Sequence, residues 1–165
     1  MYEEIPVQVK LRILAGQVNA AAGIGMWCFG LDGEFYYSTS FHEKEFKMFL
    51  EMEGCLDYAK NNPDRLSRPV VLGTSIGLIW IAEHMYNAGS PELLILMGPL
   101  YTSSTSAKSI EKALDHLQLD VGIRIRLRRI LTEVPVISPA MARQYAGMLH
   151  YCLTDEALCS TFPTS

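Results

Sequence analysis

No run in the chain reaches the roughly 20 consecutive apolar residues that a bilayer-spanning helix requires, although apolar residues fill 49% of its 165 positions. The first four residues, Met1 to Glu4, place no basic segment ahead of an apolar one, so no secretory leader is predicted. Cysteine is sparse and scattered: Cys28, Cys55, Cys152 and Cys159 form no C-x-x-C pair. That excludes the common zinc and dithiol motifs, and a chain of this length needs no disulfide framework. The four thiols are expected to be free, buried or half-buried, in a reducing cytoplasm. His42, His84, His116 and His150 lack zinc-type spacing. Cys28 sits among aromatic residues but without the C-x-x-C-H of haem attachment, so no metal and no cofactor is expected. Charge is also scarce, at 19%, with a net charge of −4 and an isoelectric point of about 5.5. An acidic balance argues against this chain gripping a nucleic-acid backbone by itself. No internal repeat or low-complexity tract is present.

What the chain does have is a long apolar ribbon. Ile76 to Tyr86 and Leu93 to Tyr101 are two apolar runs separated by Asn87-Ala-Gly-Ser-Pro91, which is turn chemistry. The runs are rich in Ile, Leu, Trp and Tyr, so they read as an antiparallel hairpin. Alternation puts Leu78, Trp80, Ala82, His84 and Tyr86 on one face and Ile79, Ile81, Glu83 and Met85 on the other. Both faces are mostly apolar. The ribbon is therefore expected inside a sheet covered on both sides, or covered on one and dimerised on the other.

The remaining segments supply partners. Spacings of three and four predict a helix over Pro6 to Ala22, ended by Gly23 and Gly25. Asp32-Gly33 predicts a hairpin between strands Met26 to Leu31 and Glu34 to Ser38, with Phe35 and Tyr37 opposing Tyr36 and Ser38. Phe41 to Lys60 reads as helix, stopped by Asn61-Asn-Pro-Asp64, and Arg65 to Pro69 as a polar connector. Gly98-Pro99 inside a strand signals a bulge or a close backbone approach. Three helices follow: one on Ile110, Ala113, Leu114 and Leu117, capped through Thr105 or Ser106, then Asp120 to Val134, then Pro139 to Leu153 with Ser138 as its cap. The fold class predicted is α+β, a central antiparallel sheet of about five strands flanked by helices. Residues 1–153 form one domain and 154–165 a C-terminal linker.

Few residues point to chemistry. Trp80, His84 and Tyr86 share a strand face and could line a pocket, His84 and Tyr86 giving polar handles on an apolar wall. Singly, each aromatic is more simply a core residue, and His84 a strand-end residue in solvent. Glu83 lies between Ile81 and Met85. A carboxylate there must be paired or exposed, and exposure near the strand end is the expectation. Gly73-Thr-Ser-Ile-Gly77 satisfies the letters of a nucleophile elbow around Ser75, but a strand follows where the elbow needs a helix, so a bend between strands is predicted. Arg124, Arg126, Arg128 and Arg129, with Lys108 and Lys112, are the one basic concentration. They read as a solvated helix face or a domain interface sooner than a nucleic-acid site.

Three groups of residues resemble a known family. They are Thr74 to Ala82 (TSIGLIWIA) with Leu96 to Ser103 (LMGPLYTS), Val134 to Ser138 (VPVIS) with Tyr145 to Tyr151 (YAGMLHY), and Phe29 to Glu34 (FGLDGE). Over about Gln17 to Leu153 the chain resembles the N-terminal sensory region of AraC-type transcriptional regulators from Firmicutes. That resemblance implies a PAS- or GAF-like sensor with a ligand pocket between sheet and helices. It also implies a homodimer, and DNA contact only through a C-terminal helix-turn-helix domain that this chain lacks. The function expected is ligand sensing, dimerisation or both, in the cytoplasm, without catalysis or membrane contact. The candidate ligand-binding residues are Trp27, Tyr36, Trp80, His84, Tyr86 and Tyr101, for a small-molecule effector. The alternatives are a dimerisation module with a filled core, and a small hydrolase using Ser75.

Overall fold

A computed structural model describes residues 7–74, 76–102 and 107–154. The elements run α1 (Val7–Ala22), β1 (Met26–Gly30), β2 (Phe35–Ser38), α2 (Glu43–Met52), α3 (Cys55–Asn61), β3 (Val70–Gly73), β4 (Ile79–Asn87), β5 (Ser90–Leu100), α4 (Ala107–Asp115), α5 (Val121–Thr132) and α6 (Pro139–Thr154). The five strands form one antiparallel sheet in the order β2-β1-β5-β4-β3. The fold is α+β, as the hydrophobic pattern predicts, and β5 from the apolar ribbon is its centre.

Each sheet face has its own core. Leu78, Trp80 and Ala82 of β4 and the turn before it point into a cluster with Trp27, Phe29, Phe49, Leu50, Leu66, Leu114, Leu127 and Leu131, under α2 to α5. Ile79, Ile81 and Met85 point the other way, into a cluster with Leu11, Leu14, Val18, Cys28, Ile95, Ala146 and Leu149, under α1 and α6. The two-residue period of β4 thus assigns its side chains to two different layers. The first and last described helices lie together on the same face.

Four local expectations are corrected. The ribbon turn is shorter than the five-residue separator: Ala88 and Gly89, at φ +52° and +83°, form a two-residue loop, and Asn87 pairs with Ser90. Ser90 and Pro91 belong to β5. The helix over 41–60 is two helices, broken at Gly54, and the polar connector is a 3-10 turn, Pro63–Ser67, whose Leu66 is fully buried. On β2, the register slips by one residue between Cys28 and Phe29. Tyr37 pairs with Cys28, and Phe35 with Phe29. The bulge puts Phe35 and Tyr37 on opposite faces, against simple alternation.

At Gly98 the signal for a close approach is realised. Its φ is +154°, and a Cβ there would lie 2.7 Å from Trp80 Cδ1 and 2.9 Å from the Ile79 carbonyl oxygen. The Trp27 indole donates to the Gly98 carbonyl at 2.9 Å, and the β4–β5 register shifts between Ile79 and Ile81. The α5 start is capped by Asp120, whose carboxylate accepts from Ile123 N at 3.0 Å. The Ser138 hydroxyl accepts from Met141 N at 3.1 Å at the start of α6. Pro6, the proposed cap at Thr105 or Ser106, and the proposed linker beyond Thr154 lie outside the described residues. Among the described residues, no helix is long and apolar enough to cross a membrane.

Candidate ligand-binding site

A groove of about 730 Å³ runs between α1 and the sheet. That volume suits a small-molecule site. Its floor is built by strand register. Tyr37, Cys28 and Ile95 are successive cross-strand neighbours on β2, β1 and β5, and Leu93 and Met85 form the adjacent pair on β5 and β4. Opposed side chains of this kind lie about 5 Å apart. The wall is α1, which contributes Leu11 and Ala15 to the interior and Gln8, Arg12, Gly16 and Asn19 to the rim. One end is tied shut: Asn19 Nδ2 donates to the Thr39 carbonyl at 3.2 Å, and Thr39 Oγ1 accepts from Met26 N at 2.9 Å. From Gln8 to Asn19 the helix rises about 17 Å, which sets the length of the groove.

The groove is open because, among the described residues, this face carries two helices while the other carries four. Helices α1 and α6 pack on each other, and α6 lies over β4. Among the described residues, the strip over β1 and β2 has only α1 above it. Burial pushes the Cys28 thiol on the floor up to about 11, which keeps it protonated at neutral pH. Burial also raises the Tyr37 hydroxyl, and the nearby Arg12 guanidinium pulls against that rise.

The floor row continues beyond the groove. Ile95 pairs with Glu83 on β4. Glu83 is 0% exposed, and its Oε2 lies 2.8 Å from Nδ1 of His150 on α6, which is 5% exposed. The solvent position expected for Glu83 is wrong: its alternation face is the one α6 covers, and a carboxylate there is held by a histidine. Its Oε1 is buried with no hydrogen-bond partner among the described residues. Burial raises the Glu83 carboxyl to about 8, against the weaker opposing pull of Arg68. The pair joins the sheet centre to the C-terminal helix.

The six residues proposed from sequence lie elsewhere, and none lines this groove. Trp27 and Trp80 are fully buried in the opposite core. Tyr101 is buried there too, its hydroxyl donating to the Leu131 carbonyl at 3.3 Å. His84 is not a solvent residue: it is 2% exposed, with Nε2 3.2 Å from the Ala59 carbonyl oxygen. Burial lowers its affinity for a proton. Tyr86 donates to the Pro63 carbonyl at 2.8 Å, and Tyr36 is exposed at the bulge of edge strand β2. The structure brings Trp27, Trp80 and Tyr101 into one core and leaves Tyr36 apart. The groove residues carried a weaker signal. Arg12 and Lys10 interrupt an otherwise apolar α1, and Cys28 opposes Trp27 and Phe29 on β1. Without the bulge, however, Tyr37 could not be placed beside Cys28.

Ser75 lies outside the described residues, but its flanks are those of a hairpin. Thr74 N donates to the Leu78 carbonyl at 2.9 Å, and Gly73 pairs with Ile79. Strand, turn, strand is not the geometry of a nucleophile elbow. The basic face of α5 is engaged by carboxylates: Arg124 pairs with Glu111 at 2.6 Å and with Asp115, Arg128 with Glu111, and Arg126 with Glu45 at 2.7 Å. Among the described residues, no group of three or more His, Cys, Asp or Glu could hold a metal ion. The chain matches no protein-family model, no curated protein and no solved structure.

Proposed function

We propose that the chain is the small-molecule-sensing domain of a bacterial transcriptional regulator, without catalysis of its own, acting in the cytoplasm. The observation that carries this reading is the 730 Å³ groove whose one wall, α1, also packs on the terminal helix α6. A ligand that fills the groove favours one seating of α1 on the sheet. Contact with α6, and the Ile95–Glu83–His150 row beneath it, pass that preference to the C-terminal end. The sheet clad on both faces fits the PAS- or GAF-like architecture that the sequence resemblance implies. DNA contact belongs to a separate C-terminal domain, in keeping with the net charge of −4.

Homodimerisation is part of the same reading. Val9 and Ile13 lie one turn apart on α1 with their side chains exposed, and Met141, Met148 and Tyr151 are exposed along α6, spaced by two turns and then one. These two stripes belong to the pair of helices that would carry the signal. A thermal-shift screen of metabolite classes tests the sensing reading, run beside Gly16→Leu. Gly16 lines the groove, and a Cβ there meets nothing within 4 Å, so a leucine adds bulk at the rim without a clash. Stabilisers that act on the wild type and not on Gly16→Leu support the proposal. A screen without a stabiliser, or with equal effects on both proteins, removes it. Sedimentation of Ile13→Glu with Tyr151→Glu tests the dimer, which these charges should dissociate.

A further inference from the structure

We infer that the groove takes an elongated apolar molecule carrying a carboxylate, with the carboxylate at Arg12 and Tyr37. The inference rests on the sensing reading above and adds the class of ligand. Among the described residues that line the groove, Arg12 is the one ionised side chain, and none is a carboxylate. In a chain of net charge −4 this is a local reversal of sign. Arg12 makes no ion pair with another described residue, while the arginines at 124, 126 and 128 all do.

The other polar groups divide in two. Asn19 and Thr39 are spent on closing the end of the groove. The Gln8 amide, the Arg12 guanidinium and the Tyr37 hydroxyl take no hydrogen bond among the described residues, all three able to donate, and the positive charge of Arg12 is felt at Tyr37. Three donor side chains and one positive charge select an anionic acceptor, and the planar guanidinium matches a carboxylate with two parallel hydrogen bonds. The rest of the molecule must be apolar, because Leu11, Ala15, Leu93 and Ile95 offer it no hydrogen bond and the Cys28 thiol only a weak one. Arg12 lies one turn from the Gln8 end. An anion held there leaves about 10 Å of groove toward Asn19 for the apolar body.

The experiment measures binding of decanoate, decanol and decyltrimethylammonium to the whole chain by calorimetry, each below its aggregation concentration. Wild type, Arg12→Gln and Gly16→Leu are compared. Decanoate is expected to bind at least about tenfold more tightly than decanol, and Arg12→Gln to remove that advantage while leaving decanol unchanged. Gly16→Leu is expected to weaken both. If decanol or the ammonium compound binds as tightly as decanoate, or Arg12→Gln leaves decanoate unaffected, the carboxylate assignment is overturned while the groove stands. If none of the three binds the wild type, the carboxylate assignment is also overturned; the sensing reading then falls only if the metabolite screen is silent too.

Discussion

Replacing Glu83 by glutamine should change how stability depends on pH. The wild-type pair, Glu83 Oε2 against His150 Nδ1 at 2.8 Å, needs one proton between its two atoms. Burial holds the Glu83 carboxyl protonated up to about pH 8. In the unfolded chain the same two residues are solvated, and His150 gives up its proton near 6.5 while the carboxylate has already ionised. Above about 6.5 neither residue of the unfolded chain holds its titratable proton, while the folded Glu83 carboxyl still does. Between about 6.5 and 8 the folded state binds more protons than the unfolded one, so stability falls as pH rises. At 1.36 kcal/mol per pH unit that window is worth about 2 kcal/mol, or about 4–8 °C in Tm for a chain of this size. The amide that Glu83→Gln introduces is neutral at every pH and can donate to His150, so the variant should lose this decline. The assay is urea unfolding at pH 6, 7, 8 and 9 for both proteins. A flat wild-type profile, or a Glu83→Gln profile with the same decline, refutes the reasoning.

Three further outcomes follow from particular contacts. Gly98→Ala sets a methyl group against Trp80 and the Ile79 carbonyl oxygen at a φ of +154°, and should cost about 3 kcal/mol in denaturant unfolding through overpacking and backbone strain. Asp120→Ala removes the cap of α5 and should cost about 1 kcal/mol, recovered by Asp120→Ser, in a thermal melt. Cys28 and Cys55 are both raised to about 11 by burial, so at pH 8 a disulfide reagent should modify them only as fast as the protein opens, with half-buried Cys152 reacting first of the three described thiols. Mass mapping of the labelled thiols checks that order.

Much of the fold was legible because apolar periodicity is strong where both sheet faces are buried. The alternation of Leu78, Trp80 and Ala82 against Ile79 and Ile81 sorted β4 into its two layers, and Gly98-Pro99 marked the bulge. Legibility failed where one residue changes a register or a partner comes from far away. Nothing local reveals the slip between Cys28 and Phe29 that turns Tyr37 toward α1. Glu83 looked like a surface carboxylate because its partner, His150, is 67 residues distant. Aromatic residues drew the candidate site toward Trp80, but Trp27, Trp80 and Tyr101 fill the core under four helices. The groove arises where coverage is thin, which depends on how many helices reach each face and has no signature in a single segment.

The most direct measurement is an amide and side-chain NMR titration of the chain with decanoate. The account predicts shifts concentrated at Arg12, Ala15, Cys28, Tyr37 and Ile95, continuing to Glu83 and His150, with Phe49 and Leu127 on the opposite face unmoved. Shifts centred on Trp80 and Phe49, or none at saturating decanoate, would contradict it.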